Sequence, residues 1–222
     1  MSIRPQTDTI HGDSARAMIE ALRQQWHDLL QVWAVDPHLA SQTFDEICEH
    51  YAEPARHYHT LVHIQEVLRH VENLSHYARN PAVVKLAAWL HDIIYDSKAS
   101  DNEERSAAYA EDLCRRLSIA DGLRVASLVL KTRTHEAGND PDAQVLIDAD
   151  LAILGATDSA YRAYAEQIRQ EYTWVPEPEF KKGRMRVLQK FLARPKIFCL
   201  LEELEEPARR NIAAELGRLE EN

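Results

Sequence analysis

The stretch from residue 83 to 94, VVKLAAWLHDII, constrains the fold more than any other part of the chain. At about 100° per residue on a helix, Val83, Val84, Leu86, Ala87, Ala88, Trp89, Leu90, Ile93 and Ile94 surround the axis and leave no polar face for His91 and Asp92. A helix that is apolar all round must be covered by other elements on every side. Burying a carboxylate there is costly unless it is paired, hydrogen-bonded or bound to a metal, and the adjacent imidazole sharpens that requirement. A hydrogen-bonded His–Asp pair near a helix end is the plainer alternative.

What covers such a helix is expected to be helical too. Only 6 glycines interrupt the chain, strand-like alternation is missing, and Ala, Leu, Glu, Arg and Gln are abundant. Helices are expected at about 14–33, 41–53, 60–79, 81–97, 102–118, 121–135, 143–155, 157–172, 178–193 and 206–220. Asn80-Pro81 has the form of an N-cap followed by proline at the first helical position, and EAGNDPD (136–142) is a breaker-rich loop. Asp101 with Glu104 has the spacing of a capping box. With 222 residues and 45% hydrophobic content, the chain can bury one sizeable core and is read as a single all-α domain over 1–222.

The same helical geometry singles out other polar residues. In AQVLIDADLAILGA (143–156), Asp148 and Asp150 point about 200° apart on a helix. Leu146, Ala149 and Ile153 define the apolar face, so Asp150 is expected inside and Asp148 in solvent. The expected alternative for Asp150 is a salt bridge to a buried Arg or Lys. In RHYHTLVHIQEV (56–67), His59 and His63 stand one turn apart, with His63 at the border of the apolar stripe and His59 further out; periodicity buries neither. His57 and His70 read as surface residues. His135, at the end of its helix, aligns with Val125, Leu128 and Thr132 and points inward, unless it only meets the helix dipole.

Composition excludes several classes. A net charge of −10 and a pI near 5.5 disfavour stable binding to a nucleic-acid backbone. Cys48, Cys114 and Cys199 are odd in number and widely spaced, as in reduced thiols of a cytoplasmic protein rather than a disulfide framework or thiolate zinc site. The opening MSIRPQTDTIHGDS lacks an apolar signal core, and no stretch reaches the ~20 apolar residues of a membrane span. An apolar helix face could support a homodimer.

Taken in order, His63, His91-Asp92 and Asp150 resemble the HD-domain superfamily of metal-dependent phosphohydrolases. The resemblance extends to a bacterial subgroup of predicted HD phosphohydrolases through RHYHTLVHI, AAWLHDIIYD, DNEERSA and LIDADLAILG, over roughly residues 40–200. It implies an HD-like helical bundle with additional N- and C-terminal helices, and it makes His63, His91, Asp92 and Asp150 the ligands of one divalent ion. Two imidazoles and two carboxylates suit Mn, Fe, Co, Ni, Zn or Mg. Such an ion lowers the pKa of bound water and polarises a phosphoryl oxygen. The implied substrate is a small phosphorylated metabolite or nucleotide.

Within this resemblance Asp92 is a candidate for orienting water and Asp96 for positioning it or protonating the leaving group. Several HD nucleotidases and stringent-response hydrolases carry a Glu soon after the HD pair; this chain has Tyr95 and Asp96 there. Asn102 and Glu103 are secondary candidates for facing substrate. Arg56, Arg133 and Arg184 are the cations expected to meet phosphate, with His59 and His135 beside them; Lys98, Lys181 and Lys182 lie in the same segments. Two other functions compete. A non-catalytic ligand-binding or regulatory module would bind without turnover, and an HD-type di-iron oxygenase would need His59 and His135 for a second metal.

Overall fold

The computed structural model describes residues 7–221, and side chains from Ser14 onward. The reading of residues 1–14 as lacking a signal core falls on residues whose side chains, up to residue 13, lie outside the described ones. Ten α-helices, and no strand, are present among the described residues: α1 Thr7–Gln31, α2 Pro37–Tyr51, α3 Leu61–Leu74, α4 Pro81–Leu90, α5 Asn102–Arg116, α6 Gly122–Thr132, α7 Pro141–Leu151, α8 Asp158–Glu171, α9 Glu177–Leu192 and α10 Glu205–Glu221. No described helix is long and apolar enough to cross a membrane.

Helix α4 is the axis of the fold. Residues Val83, Val84 and Leu86–Leu90 are all buried, and α1, α3, α5, α6 and α7 each pack on α4. Its start is set as expected: the Asn80 side chain accepts from the Val83 N–H, with Pro81 next. On the α1–α2 side, Trp26, Phe44 and Trp89 pack edge to face, with centroids 5.4 and 6.1 Å from Trp89. The Tyr51 hydroxyl donates to the Trp89 carbonyl at 2.8 Å.

The expected helix over 81–97 ends early, at Leu90, and residues 91–94 form turns. The cause is not local. Arg56 takes the carbonyl oxygens of Asp92 and Ile93 (2.7 and 2.8 Å). Ser106 Oγ accepts the Ile94 N–H and donates to the Ile94 carbonyl. Groups from α5 and the segment before α3 thereby replace the hydrogen bonds of another helical turn. The wheel that enclosed His91 and Asp92 is thus cut short, and Asp92 sits just past the helix end.

Helix α7 departs from expectation in a different way. It is buried nearly all round, and Asp148, expected in solvent, is fully buried. The segment after α9 covers it: Asp148 accepts backbone N–H groups of Cys199 (2.9 Å), Leu200 and Leu201 (3.0 Å). At the other end of α7, Asp142 accepts the N–H groups of Arg79 and Asn80 and pairs with Arg124. The capping box also fails: Asp101 makes no side-chain cap bond, and Glu104 instead pairs with Arg133, just past the end of the neighbouring α6. Cys48, Cys114 and Cys199 form no disulfide.

Candidate metal centre

Four side chains from three elements converge at one end of α4. His63 comes from the first turn of α3, which Thr60 caps by accepting the Val62 N–H. His91 and Asp92 come from the end of α4, and Asp150 from the last turn of α7. One donor atom from each of the four lies within 4.8 Å of all the others, and the group could hold a metal ion. His63 Nε2 is 3.3 Å from His91 Nε2 and 3.3 Å from Asp150 Oδ1. His91 Nε2 is 3.1 Å from Asp92 Oδ2 and 3.4 Å from Asp150 Oδ1.

The hydrogen bond on the far side of His91 fixes what that geometry means. Its Nδ1 lies 2.9 Å from the Ala88 carbonyl, an acceptor, so Nδ1 carries the proton. In the neutral imidazole the Nε2 lone pair then faces two carboxylate oxygens and a second imidazole. Lone pairs this close repel unless a cation lies among them. A protonated ring or a metal ion satisfies the arrangement, and backbone bonding of the outer nitrogen is how ligating histidines are oriented. Burial would lower the His91 pKa, yet the Asp92 and Asp150 carboxylates outweigh it and hold that pKa well above the usual value. Burial would raise the two carboxylates, and His91 beside them holds both well below the ordinary range. The donor set is thus chemically fit for a divalent ion.

Around this cluster the remaining candidates divide. His59 stands beside it, Nε2 4.0 Å from Asp92 Oδ2, with its ring stacked on Tyr95 at 4.1 Å. Its Nδ1 donates to Glu171 at 2.7 Å, which leaves Nε2 as acceptor in the neutral ring. His135 Nε2 is 3.2 Å from Asp150 Oδ2. To reach it, His135 adopts φ +51°, a left-handed conformation that costs a non-glycine residue ~1 kcal/mol or more. Arg194 clamps that bend by donating to the carbonyls of Thr134 and His135 (2.7 and 2.9 Å).

The cations expected to meet phosphate are mostly spent on the scaffold. The Arg56 guanidinium is buried and bonds to Glu53 and to the carbonyls of His59, Asp92 and Ile93, so it is a brace under the cluster rather than a ligand-facing charge. Arg184 is buried against Glu215 (2.8 Å) and the Tyr164 hydroxyl (3.1 Å). Arg133 is half exposed and paired with Glu104. Asp96 is exposed and is not among the residues that line the cavity over the cluster; its carboxylate accepts the Lys98 N–H and its backbone is held by Asn102, as in a turn cap.

A cavity of about 680 Å³ opens over Asp92, Asp150, His59 and His135 and runs between α8, α9 and the start of α5. Glu103, Arg133 and Arg184 line it. Sequence reasoning missed Glu171, whose side chain is fully buried and accepts three backbone N–H groups, the His59 ring and the Tyr95 hydroxyl. A signal for it existed: Tyr161, Tyr164, Ile168 and Glu171 recur at the spacing of one helix face, and a carboxylate in such a stripe is the same anomaly that marked Asp150.

No protein-family model matches the chain, and neither does any curated protein or solved structure.

Proposed function

We propose that this chain is a divalent-metal-dependent phosphohydrolase acting on a small phosphorylated metabolite or nucleotide. The observation that carries the reading is the orientation of His91, whose Nδ1–H is committed to Ala88 while Nε2 meets Asp92, Asp150 and His63 at 3.1–3.4 Å. The resemblance of the same four residues to the HD-domain phosphohydrolases supports it. His63, His91, Asp92 and Asp150 would hold the ion, which when bound supplies Lewis acidity and water of lowered pKa.

The chain's own groups complete the site. Asp92 and Asp150 face the cavity, while His63 and His91 close the cluster from behind, only 5% and 1% exposed. His59, with its tautomer fixed by Glu171, offers an acceptor nitrogen beside Asp92 for a water or hydroxyl proton. His135 sits on the other side at Asp150, where its ring can bond a phosphoryl oxygen. Tyr58, packed on His63 at 4.7 Å, helps to keep bulk water from the buried edge.

The test is phosphate release from a panel of phosphate esters by protein loaded with each of Mn²⁺, Fe²⁺, Co²⁺, Ni²⁺, Zn²⁺ and Mg²⁺. Release with at least one ion, lost on chelation and in Asp150→Ala, is expected. Loaded protein inert toward every ester would sink the reading.

A further inference from the structure

The cavity beyond the metal centre has two properties that bear on what it accepts. The first is its wall. Phe191 packs against His135 at 5.8 Å between ring centroids, so apolar surface begins one side chain away from Asp150. From there it continues over Ile153 and Leu154, Val187 of α9 and Tyr172 just past α8, from three separate parts of the chain. Val187 is 45% exposed although it belongs to this wall, so the cavity leaves apolar surface uncovered.

The second property is charge. Four carboxylates line the cavity (Asp92, Glu103, Asp150 and Glu179) against two guanidinium groups (Arg133 and Arg184). Both guanidiniums are already paired, with Glu104 and Glu215. Glu103 and Glu179 have no ion-pair partner among the described residues. With both guanidiniums already neutralised, a divalent ion would offset two of the four carboxylate charges and offer one place for a phosphoryl group. A second phosphate needs further Lys or Arg donors, and here it would meet the unpaired carboxylates of Glu103 and Glu179 instead.

We infer that the substrate is a monophosphate whose alcohol portion is a flat, largely apolar ring system, and that molecules with a second phosphate on that portion are rejected. The inference rests on the phosphohydrolase reading only for which end of the cavity takes the phosphoryl group. Ring burial against the wall supplies affinity, since a buried ring of this size contributes enough for an order of magnitude or more in binding. The carboxylates supply selectivity by leaving an additional anion unpaired.

Calorimetric binding to Mn²⁺-loaded protein tests this without turnover, using methylphosphonate, phenylphosphonate and 1,4-phenylenebisphosphonate. Phenylphosphonate is expected to bind at least about tenfold more tightly than methylphosphonate, and the bisphosphonate at least about tenfold more weakly than phenylphosphonate. Val187→Asn, uncharged and on an exposed face of α9 and so compatible with folding, should weaken phenylphosphonate more than methylphosphonate and so shrink the advantage of the ring. Equal affinity for the phenyl and methyl probes, no binding of phenylphosphonate, or a bisphosphonate as tight as phenylphosphonate would each overturn the inference. Hydrolysis is scored separately: tight phenylphosphonate binding with every ester of the panel left intact keeps the ligand class standing and removes the phosphohydrolase reading.

Discussion

Glu171 grips His59 at two points: its Oε1 accepts the backbone N–H at 3.0 Å and its Oε2 the ring Nδ1–H at 2.7 Å. One carboxylate on α8 therefore fixes the position, tautomer and ring plane of a histidine 112 residues earlier in the chain. Burial would raise the Glu171 pKa, but the His59 ring and the N–H groups of His59 and His57 overcome it and bring it down to about 2 from an ordinary 4.5. The unfolded chain takes up this proton as pH falls past its ordinary value, the folded chain only near 2. The stabilisation, on the order of 3 kcal/mol, is thus complete above the unfolded value and is lost as pH falls toward 2. Thermal melts of wild type and Glu171→Gln should differ most near pH 6 and converge steadily below about pH 4.5. A gap independent of pH would refute the role.

Asp148 and Asp150 should separate cleanly. Asp150→Ala is expected to lose the bound ion, measured by mass spectrometry of protein purified without chelator, while keeping its melting temperature within a few degrees. Asp148→Ala strips acceptors from three backbone N–H groups. It should cost roughly 3 kcal/mol or more, with any folded fraction retaining metal. Equal metal loss in both would show that the two residues are not distinct in role.

Arg56 makes a prediction opposite to that of a substrate-binding cation. Its loss leaves the carbonyls of His59, Asp92 and Ile93 without their donor. Arg56→Ala should lower the melting temperature by roughly 10 °C, and Arg56→Lys should recover only part, because one ammonium cannot reproduce the planar fork. A variant of wild-type stability but raised KM would restore the phosphate-contact reading.

Asp96→Ala should change kcat by less than about twofold and stability by no more than about 1 kcal/mol, the size of one exposed cap. A drop of a hundredfold would return Asp96 to catalysis.

Gly155 marks where the short turn after α7 meets the chain before α10. A β-carbon there would lie 2.6 Å from Leu204 Cβ and 2.9 Å from the Leu204 carbonyl oxygen. Backbone has to move to admit it, so Gly155→Ala is expected to destabilise by about 1–3 kcal/mol in chemical denaturation. No loss would mean that the two segments can separate freely.

Residues differ in whether local rules or distant partners set their place. Helix periodicity made every helix legible to within a few residues at most ends, but its division of α7 into an inner face with Asp150 and a solvent face with Asp148 did not hold, since Asp148 is the more buried of the two. It failed where a partner lies far away in the chain. The end of α4 depends on Arg56 and Ser106, the burial of Asp148 on residues 199–201, and the neutralisation of Arg184 on Glu215. A cation in a sequence window carries no mark of whether its charge is already taken. Glu171 was within reach of the same rule that found Asp150, because it interrupts an apolar stripe.

Helix α7 carries obligations on opposite sides two residues apart: Asp148 ties down the segment before α10, and Asp150 faces His63 and His91. Together they set both the rotation of the helix about its axis and its position along it. A one-residue insertion or deletion within α7 ahead of Asp148 would swing both by about 100° and lose both attachments at once, while one placed between them could spare only one. In alignment terms, the D-x-D of α7 is a gap-free interval, and length variation in this fold belongs in the loops on either side.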